Sequence, residues 1–186
     1  LHSQFSVLQA TPELNGIFEK ATALKMSAVA ITDLSILFGA FKFVRLAKKY
    51  GIKPIIGCEF YVAEERKKTQ FTKDNPDKRF QQVLLAKNKK GYQNLVKLNS
   101  LAYIEGNYGL YPRIDKDLII EYSEGLIALS GGLKGEIPNL VLNVGETQAE
   151  EALKWWKNAF NDDFYLELNR HGIPEEDHLN KVLNRF

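Results

Sequence analysis

Pro54-Ile55-Ile56-Gly57-Cys58-Glu59-Phe60-Tyr61-Val62 decides the fold: the run is apolar on both faces of an extended chain and is interrupted only by Glu59. A strand with two apolar faces belongs in a sheet covered on both sides. Upstream, Ser27-Ala28-Val29-Ala30-Ile31-Thr32 is a second run of this kind and ends at Asp33. Between the two the pattern is helical from about Gly39 to Tyr50, with Gly51 placed as its stop. Thr11-Pro12-Glu13 reads as a helix start, with Thr11 as cap and Pro12 at the first helical position. Leu14, Ile17, Phe18, Ala21 and Leu24 then recur at helical spacing.

Downstream, residues 63–79 (AEERKKTQFTKDNPDKR) are charged, aperiodic and carry Asn75-Pro76, so they read as an exposed, mobile, solvated loop whose acids nearly offset its bases. Contact with nucleic acid is the competing reading of that loop. Gln81–Ala86 is a strand, Lys89–Ala102 a helix, Lys116–Glu121 a short helix, and Leu126–Ser130 a strand. Gly131-Gly132-Leu133-Lys134-Gly135 lacks the Gly-Lys-Ser/Thr ending of a phosphate loop and reads as a turn. Glu146–Phe160 is a helix with Ala149, Ala152, Leu153, Trp156 and Phe160 on one face, which makes Trp155 and Trp156 packing residues rather than a stacking platform. Phe164–Leu168 is a strand, and a last helix follows Pro174. The alternation predicts an α/β fold with a parallel sheet. No Gly-x-Gly-x-x-Gly follows a strand, which disfavours a dinucleotide fold and leaves a barrel as the preferred reading.

The 186 residues are 45% hydrophobic and 26% charged, with Lys+Arg 25 against Asp+Glu 23, so disorder and collagen-like repeats are excluded. A net charge of +2 argues neither for nor against nucleic acid, because phosphate binding shows as a concentrated basic surface. No apolar run approaches the roughly 20 residues of a bilayer span, and LHSQFSVLQATPEL lacks the features of a signal peptide. A cytoplasmic location without membrane contact is the expectation. Cys58 is the only cysteine, which excludes an internal disulfide and a thiolate-based zinc site.

In barrels the chemistry sits at the C-terminal ends of the strands. Asp33 and Glu59 fall there, as do His2, Ser3, Ser130 and His171. Carboxylates and imidazoles at one mouth suit a zinc or manganese site. Glu59 is the leading candidate, since a carboxylate in an apolar strand needs either a cation or a Lys or Arg partner. His171 reads either as a ligand or as a capping histidine, and His178 as exposed.

His2-Ser3-Gln4-Phe5-Ser6, Ala30-Ile31-Thr32-Asp33, Phe38-Gly39-Ala40, Gly51-Ile52-Lys53-Pro54-Ile55-Ile56-Gly57-Cys58-Glu59 and Leu84-Leu85-Ala86-Lys87-Asn88 occur in order along the chain. Gly91-Tyr92-Gln93-Asn94-Leu95, Tyr111-Pro112-Arg113-Ile114-Asp115, Leu129-Ser130-Gly131 and Phe164–Leu168 follow. Together they resemble the N-terminal PHP (polymerase and histidinol phosphatase) domain of the alpha subunit of bacterial DNA polymerase III. The resemblance implies a distorted (β/α)7 TIM-like barrel. It also implies metal ligands at His2 and Glu59, with Asp33 as a neighbour and His171 at a matched position. Four positions depart from the family's ligand pattern: Gln9 stands for an acid, Leu34 for the histidine after Asp33, Gln81 for a further histidine and Gly132 for a cysteine. The site is therefore expected to be vestigial, with zinc or manganese as the family's metals and none as the expectation here.

The implied parent is a DNA-directed DNA polymerase that uses magnesium in other domains, with residues 1–186 as a scaffold that does not itself polymerise DNA. Its implied partners are the other domains of that subunit, the proofreading exonuclease and, through the parent, DNA. The alternative is a metal-dependent phosphoesterase or 3′–5′ exonuclease. The chain reads as an excerpt lacking the first strand and the last strand–helix units of the barrel, with polymerase domains absent. A chain extended at both ends is then expected to unfold at a higher urea midpoint than residues 1–186 alone.

Overall fold

In the computed structural model, which describes residues 1–186, the apolar spacing of the first helical pattern becomes α1 (Leu14–Ala23), with Leu14, Ile17, Phe18 and Ala21 buried. The helix starts later than the Thr11-Pro12 signal suggests. Glu13 is the N-cap and makes no side-chain cap bond, because the preceding turn is committed elsewhere: the Pro12 carbonyl accepts from Gln4 N–H at 2.9 Å, and the Gln4 side chain accepts from Leu14 N–H at 3.3 Å. Strand β1 (Ala28–Ile31) leads to α2 (Ala40–Tyr50), which ends as expected at Gly51 with φ +67°. A residue with a side chain is strained in that left-handed position.

β2 (Lys53–Ala63) is the central strand. Its first half pairs in parallel with β1 through Lys53–Ile56, and its second half pairs with β3 (Arg79–Ala86) from Gly57 to Ala63. Helix α3 (Lys89–Ile104) leads to a small hairpin, β4 (Asn107–Tyr108) and β5 (Tyr111–Ile114), and β5 joins β2 in parallel at Tyr61 and Val62. Helix α4 (Lys116–Glu121), β6 (Leu126–Leu129), α5 (Glu136–Asn143), α6 (Glu146–Phe160), β7 (Phe164–Tyr165) and α7 (Pro174–Leu183) complete the chain. The strand order is β4-β5-β2-β3-β6-β7, with β1 also on β2.

The all-parallel expectation fails at two strands: the short β4 is antiparallel to β5 at the edge, and β3 departs within the main sheet. β3 runs antiparallel to both β2 and β6. The physical reason is its connection: residues 64–78 contain no helix that could carry the chain across the sheet, so β3 returns as the second arm of a hairpin. Three elements went unmarked in the sequence, β4, β5 and α5. Pro138 lies in the first turn of α5, where its missing N–H has no intrahelical role and costs little. The last strand is shorter than its apolar run, two residues instead of five.

Two apolar clusters result. One packs α1 and α2 on β1 around Phe18, Ile31 and Phe43; the larger one joins the sheet to α3 through α7 around Phe60, Leu84, Ile119 and Trp156. Trp156 is a packing residue, as the helical spacing indicates, and its indole N–H donates to Glu136 at 2.8 Å.

The charged segment after β2 is not free. Arg113, on β5, is fully buried, and its guanidinium donates to the carbonyls of Arg66 at 2.9 Å and Lys68 at 2.7 Å and to Asp77 at 3.0 Å. Arg66 in turn bridges Glu105 and Asp115. The segment is strapped across the hairpin because a buried guanidinium must place its donors, and these carbonyls are the acceptors in reach. Arg113→Met should remove about 3 kcal/mol or more by taking the guanidinium donors from two carbonyls and from Asp77, which keeps only its pairing with Arg79. The expected readout is a lower urea midpoint together with faster proteolytic cleavage within residues 64–78.

Candidate functional site

The site is built where β1 and the middle of β2 meet the N-terminal segment. Thr32 N–H donates to Leu1 O at 2.8 Å, which lays the first residues alongside the end of β1. The chain then wraps Asp33. Its carboxylate accepts from Ser3 N–H at 2.6 Å, Ser3 Oγ–H at 2.8 Å and Ser6 Oγ–H at 2.7 Å, and it is nearly inaccessible to solvent. Gly39, at the head of α2, closes over this knot: a Cβ there would lie 2.9 Å from the Phe5 ring and 3.2 Å from Asp33 Oδ2. The motif Phe38-Gly39-Ala40 therefore has a packing reason at its centre.

His2, held by that wrapping, bonds through Nε2 to Glu59 Oε2. Glu59 sits on β2 with its backbone tied on both sides, its N–H to Asp33 O at 3.2 Å and its carbonyl to Ser35 N–H at 2.7 Å. Leu34 lies opposite Glu59 in an isolated parallel bridge, where it presents an aliphatic side chain. Cys58 points away from the mouth, its thiol donating to Asp33 O at 3.4 Å, and burial pushes that thiol well above its ordinary range, so it is chemically inert.

Glu167 is the residue that the sequence reading passed over. It follows β7, its backbone N–H donates to Ser130 Oγ at 2.8 Å, and its Oε2 is buried without a hydrogen-bond partner. Burial and the nearby Glu59 charge raise its carboxyl above the usual carboxylate range. The signal was present in the sequence, since an acid interrupting the apolar run Phe164–Leu168 is the same argument that singled out Glu59.

The remaining candidates are placed apart. His171 is largely exposed and is tied to Glu176, its Nδ1 lying 2.7 Å from Glu176 Oε1 and its backbone N–H 2.6 Å from Oε2. These bonds hold the Glu176 carboxyl below its ordinary range and fasten the turn that enters α7. Gln9 and Gln81 line a common cleft of about 780 Å³ with Tyr61, Arg79, Tyr111 and Lys134. Gly132 faces Asn169, whose Nδ2 would stand 3.0 Å from a Cβ at that position.

A catalytic cation cluster needs several free anionic or imidazole donors around each ion, with supporting groups behind them. Here Asp33 accepts three bonds from Ser3 and Ser6, His2 and Glu59 engage each other, and Leu34, Gln9 and Gln81 are neutral. No three His, Cys, Asp or Glu side chains converge as a ligand group. The donor set does not fit such a cluster.

A profile of the PHP domain matches residues 1–171. This chain belongs to the PHP domain family. Among curated relatives, this PHP domain is 45% identical to DNA polymerase III subunit alpha of Borreliella burgdorferi, over all of the chain and 16% of that protein. It is 43% identical to the subunit of the same description in Thermus aquaticus, over 15% of that protein, and 42% identical to that of Aquifex aeolicus, over 16%. The chain thus spans about one sixth of the length of the curated relatives it matches. Among solved structures, one assigned as a metal-dependent phosphoesterase of Bifidobacterium adolescentis aligns with 99% of this chain and 81% of its own, at a TM-score of 0.55 and 13% identity. That likeness concerns the fold: this PHP domain has the distorted TIM-like α/β arrangement expected from the sequence. No helix is long and apolar enough to cross a membrane.

The Glu167 carboxyl gives this mouth a pH signature. Its folded-state value is raised, so the native chain keeps the proton to higher pH than the unfolded chain does, and stability falls as pH climbs through and above the ordinary carboxylate range. Glu167→Gln should therefore raise the urea midpoint relative to wild type at pH 7 and leave it nearly unchanged at pH 4. An equal shift at both pH values would assign the effect to packing instead.

Proposed function

We propose that this chain is the PHP-domain region of a bacterial replicative DNA polymerase alpha subunit, working in the cytoplasm, and that within it the domain is a scaffold and not a hydrolase. Identity of 45% over all of this chain, and over 16% of a DNA polymerase III alpha subunit, is the observation that carries the reading. The magnesium-dependent nucleotidyl transfer belongs, in this reading, to other domains of the parent. This domain braces them and offers a docking surface to the proofreading exonuclease subunit.

The scaffold role is supported by what became of the mouth. The residues that would polarise a phosphoester and generate a metal-bound nucleophile are spent on internal bonds, Asp33 to Ser3 and Ser6 and His2 to Glu59. These bonds tie the N-terminal segment, β1 and β2 into one unit. His2, Glu59, Asp33 and His171 are thus vestigial positions whose present work is structural.

One observation favours the second reading, a metal-dependent phosphoesterase or 3′–5′ exonuclease. The buried, unpartnered Oε2 of Glu167 beside Glu59 is an acceptor that a zinc or manganese ion would satisfy.

Elemental analysis of the purified full-length parent separates the two. The scaffold reading expects less than one zinc or manganese per chain after dialysis, primer extension that requires magnesium, and no phosphatase or exonuclease activity from residues 1–186. Two or three retained ions, with hydrolysis abolished by Glu59→Gln, would establish the hydrolase.

A further inference from the structure

The chain's net charge of +2 hides a strong segregation. Residues 34–58 and 79–104 contain no Asp or Glu and together hold ten of the 25 Lys and Arg, leaving 15 bases against 23 acids on the rest of the chain. The fold then puts the two stretches side by side. Helices α2 and α3 flank a groove of about 420 Å³, with Phe41 and Val44 on one wall, Lys89 and Tyr92 on the other, and Ile56 of β2 and Ala86 of β3 between them.

The cations on these helices are largely uncommitted. Lys87, which lines the groove, pairs with Asp163, and Lys90 approaches Glu124. Lys42, Arg45, Lys48 and Lys49 on α2 and Lys89 and Lys97 on α3 have no carboxylate partner. All six are exposed. Interleaved with them are aromatic rings left open to solvent, Phe38 at 77% exposure, Phe41 at 75% and Tyr92 at 40%. Arg45 already lies 5.9 Å over the Phe41 ring.

Uncompensated cations at this density repel one another unless an anion joins them, and exposed aromatic rings among them are what unpaired bases stack on. An acidic protein segment would meet the charge but has less use for flat exposed rings. A duplex would meet the charge but keeps its bases stacked on each other. We propose that the α2–α3 face binds single-stranded nucleic acid, with the lysines and Arg45 on its phosphates and Phe38, Phe41 and Tyr92 as stacking platforms. None of these residues belongs to the His2–Glu59 mouth, so the inference stands whether or not the scaffold reading does. It also moves the nucleic-acid contact away from residues 64–78, whose charges Arg113, Glu105 and Asp115 help hold in place.

The test is fluorescence anisotropy of a labelled oligo-dT of about twenty nucleotides with the 186-residue chain, over roughly 50 to 200 mM salt. The expected result is saturable binding that weakens with salt, with the slope of log affinity against log salt reduced by about 1.4 in Lys48→Ala/Lys89→Ala, or about 0.7 per lost phosphate contact. Phe41→Ala should weaken binding about tenfold with an unchanged salt slope. The substituted side chains are exposed, and a cooperative thermal melt matching wild type confirms folding. If the lysine variant fails that check, Lys42→Ala/Lys97→Ala replaces it and should show the same drop in slope. No binding at the lowest salt, a slope indifferent to the lysines, or equal binding of a poly-glutamate chain with Phe41→Ala neutral would overturn the proposal. The last outcome would assign the face to an acidic protein segment.

Discussion

A carboxylate taken out of water at the end of a strand must find donors, and the Asp33 carboxylate finds three, all from Ser3 and Ser6. An acid left bare there would be far more costly than any single apolar contact is worth. Meeting the demand places the first six residues against β1, brings His2 to Glu59, and leaves room at Gly39 for nothing larger than hydrogen. The bonds that organise the mouth are therefore the ones that engage the Asp33 carboxylate.

Arg113 does the same at the other end of β2 with the opposite charge. Its buried guanidinium collects two carbonyls and Asp77, which fastens a charged segment that has no periodicity of its own. Between these two anchors β2 pairs with β1, β3 and β5 in turn, and only a long strand apolar on both faces can serve so many neighbours. The unsatisfied Oε2 of Glu167 stands out against this background of paired charges. Burial and the Glu59 charge near it raise this carboxyl above the ordinary carboxylate range, so it holds its proton more tightly than a solvated acid does.

Much of the fold was legible in the sequence. Helix spacing in residues 14–24 and 146–160, the Gly51 stop and the apolar runs ending at Asp33 and carrying Glu59 all appear as elements, because each depends on neighbours within a few residues. The direction of β3 was not legible, since the contents of a connection decide it and an aperiodic loop says only that no helix is present. The Thr11-Pro12 start misled for a related reason: Gln4, outside the local window, claims the Pro12 carbonyl. At the site, Glu59 could be found because a charge in an apolar strand is conspicuous, and Glu167 could have been found by the same rule. The tie between His171 and Glu176 follows from a turn whose shape five residues of sequence do not announce.

What the sequence determined by itself is most of the elements and the inventory of polar groups at their ends. Helix and strand periods are local, and side-chain chemistry is intrinsic, so both are written in the order of residues. The tertiary structure alone decided which of those polar groups are spent on one another. His2 and Glu59 are 57 residues apart and Ser6 and Asp33 are 27 apart, so their pairing exists only once the chain has closed on itself. The same holds for the basic face, whose two stretches are unremarkable in a chain of balanced charge until α2 and α3 meet across one groove.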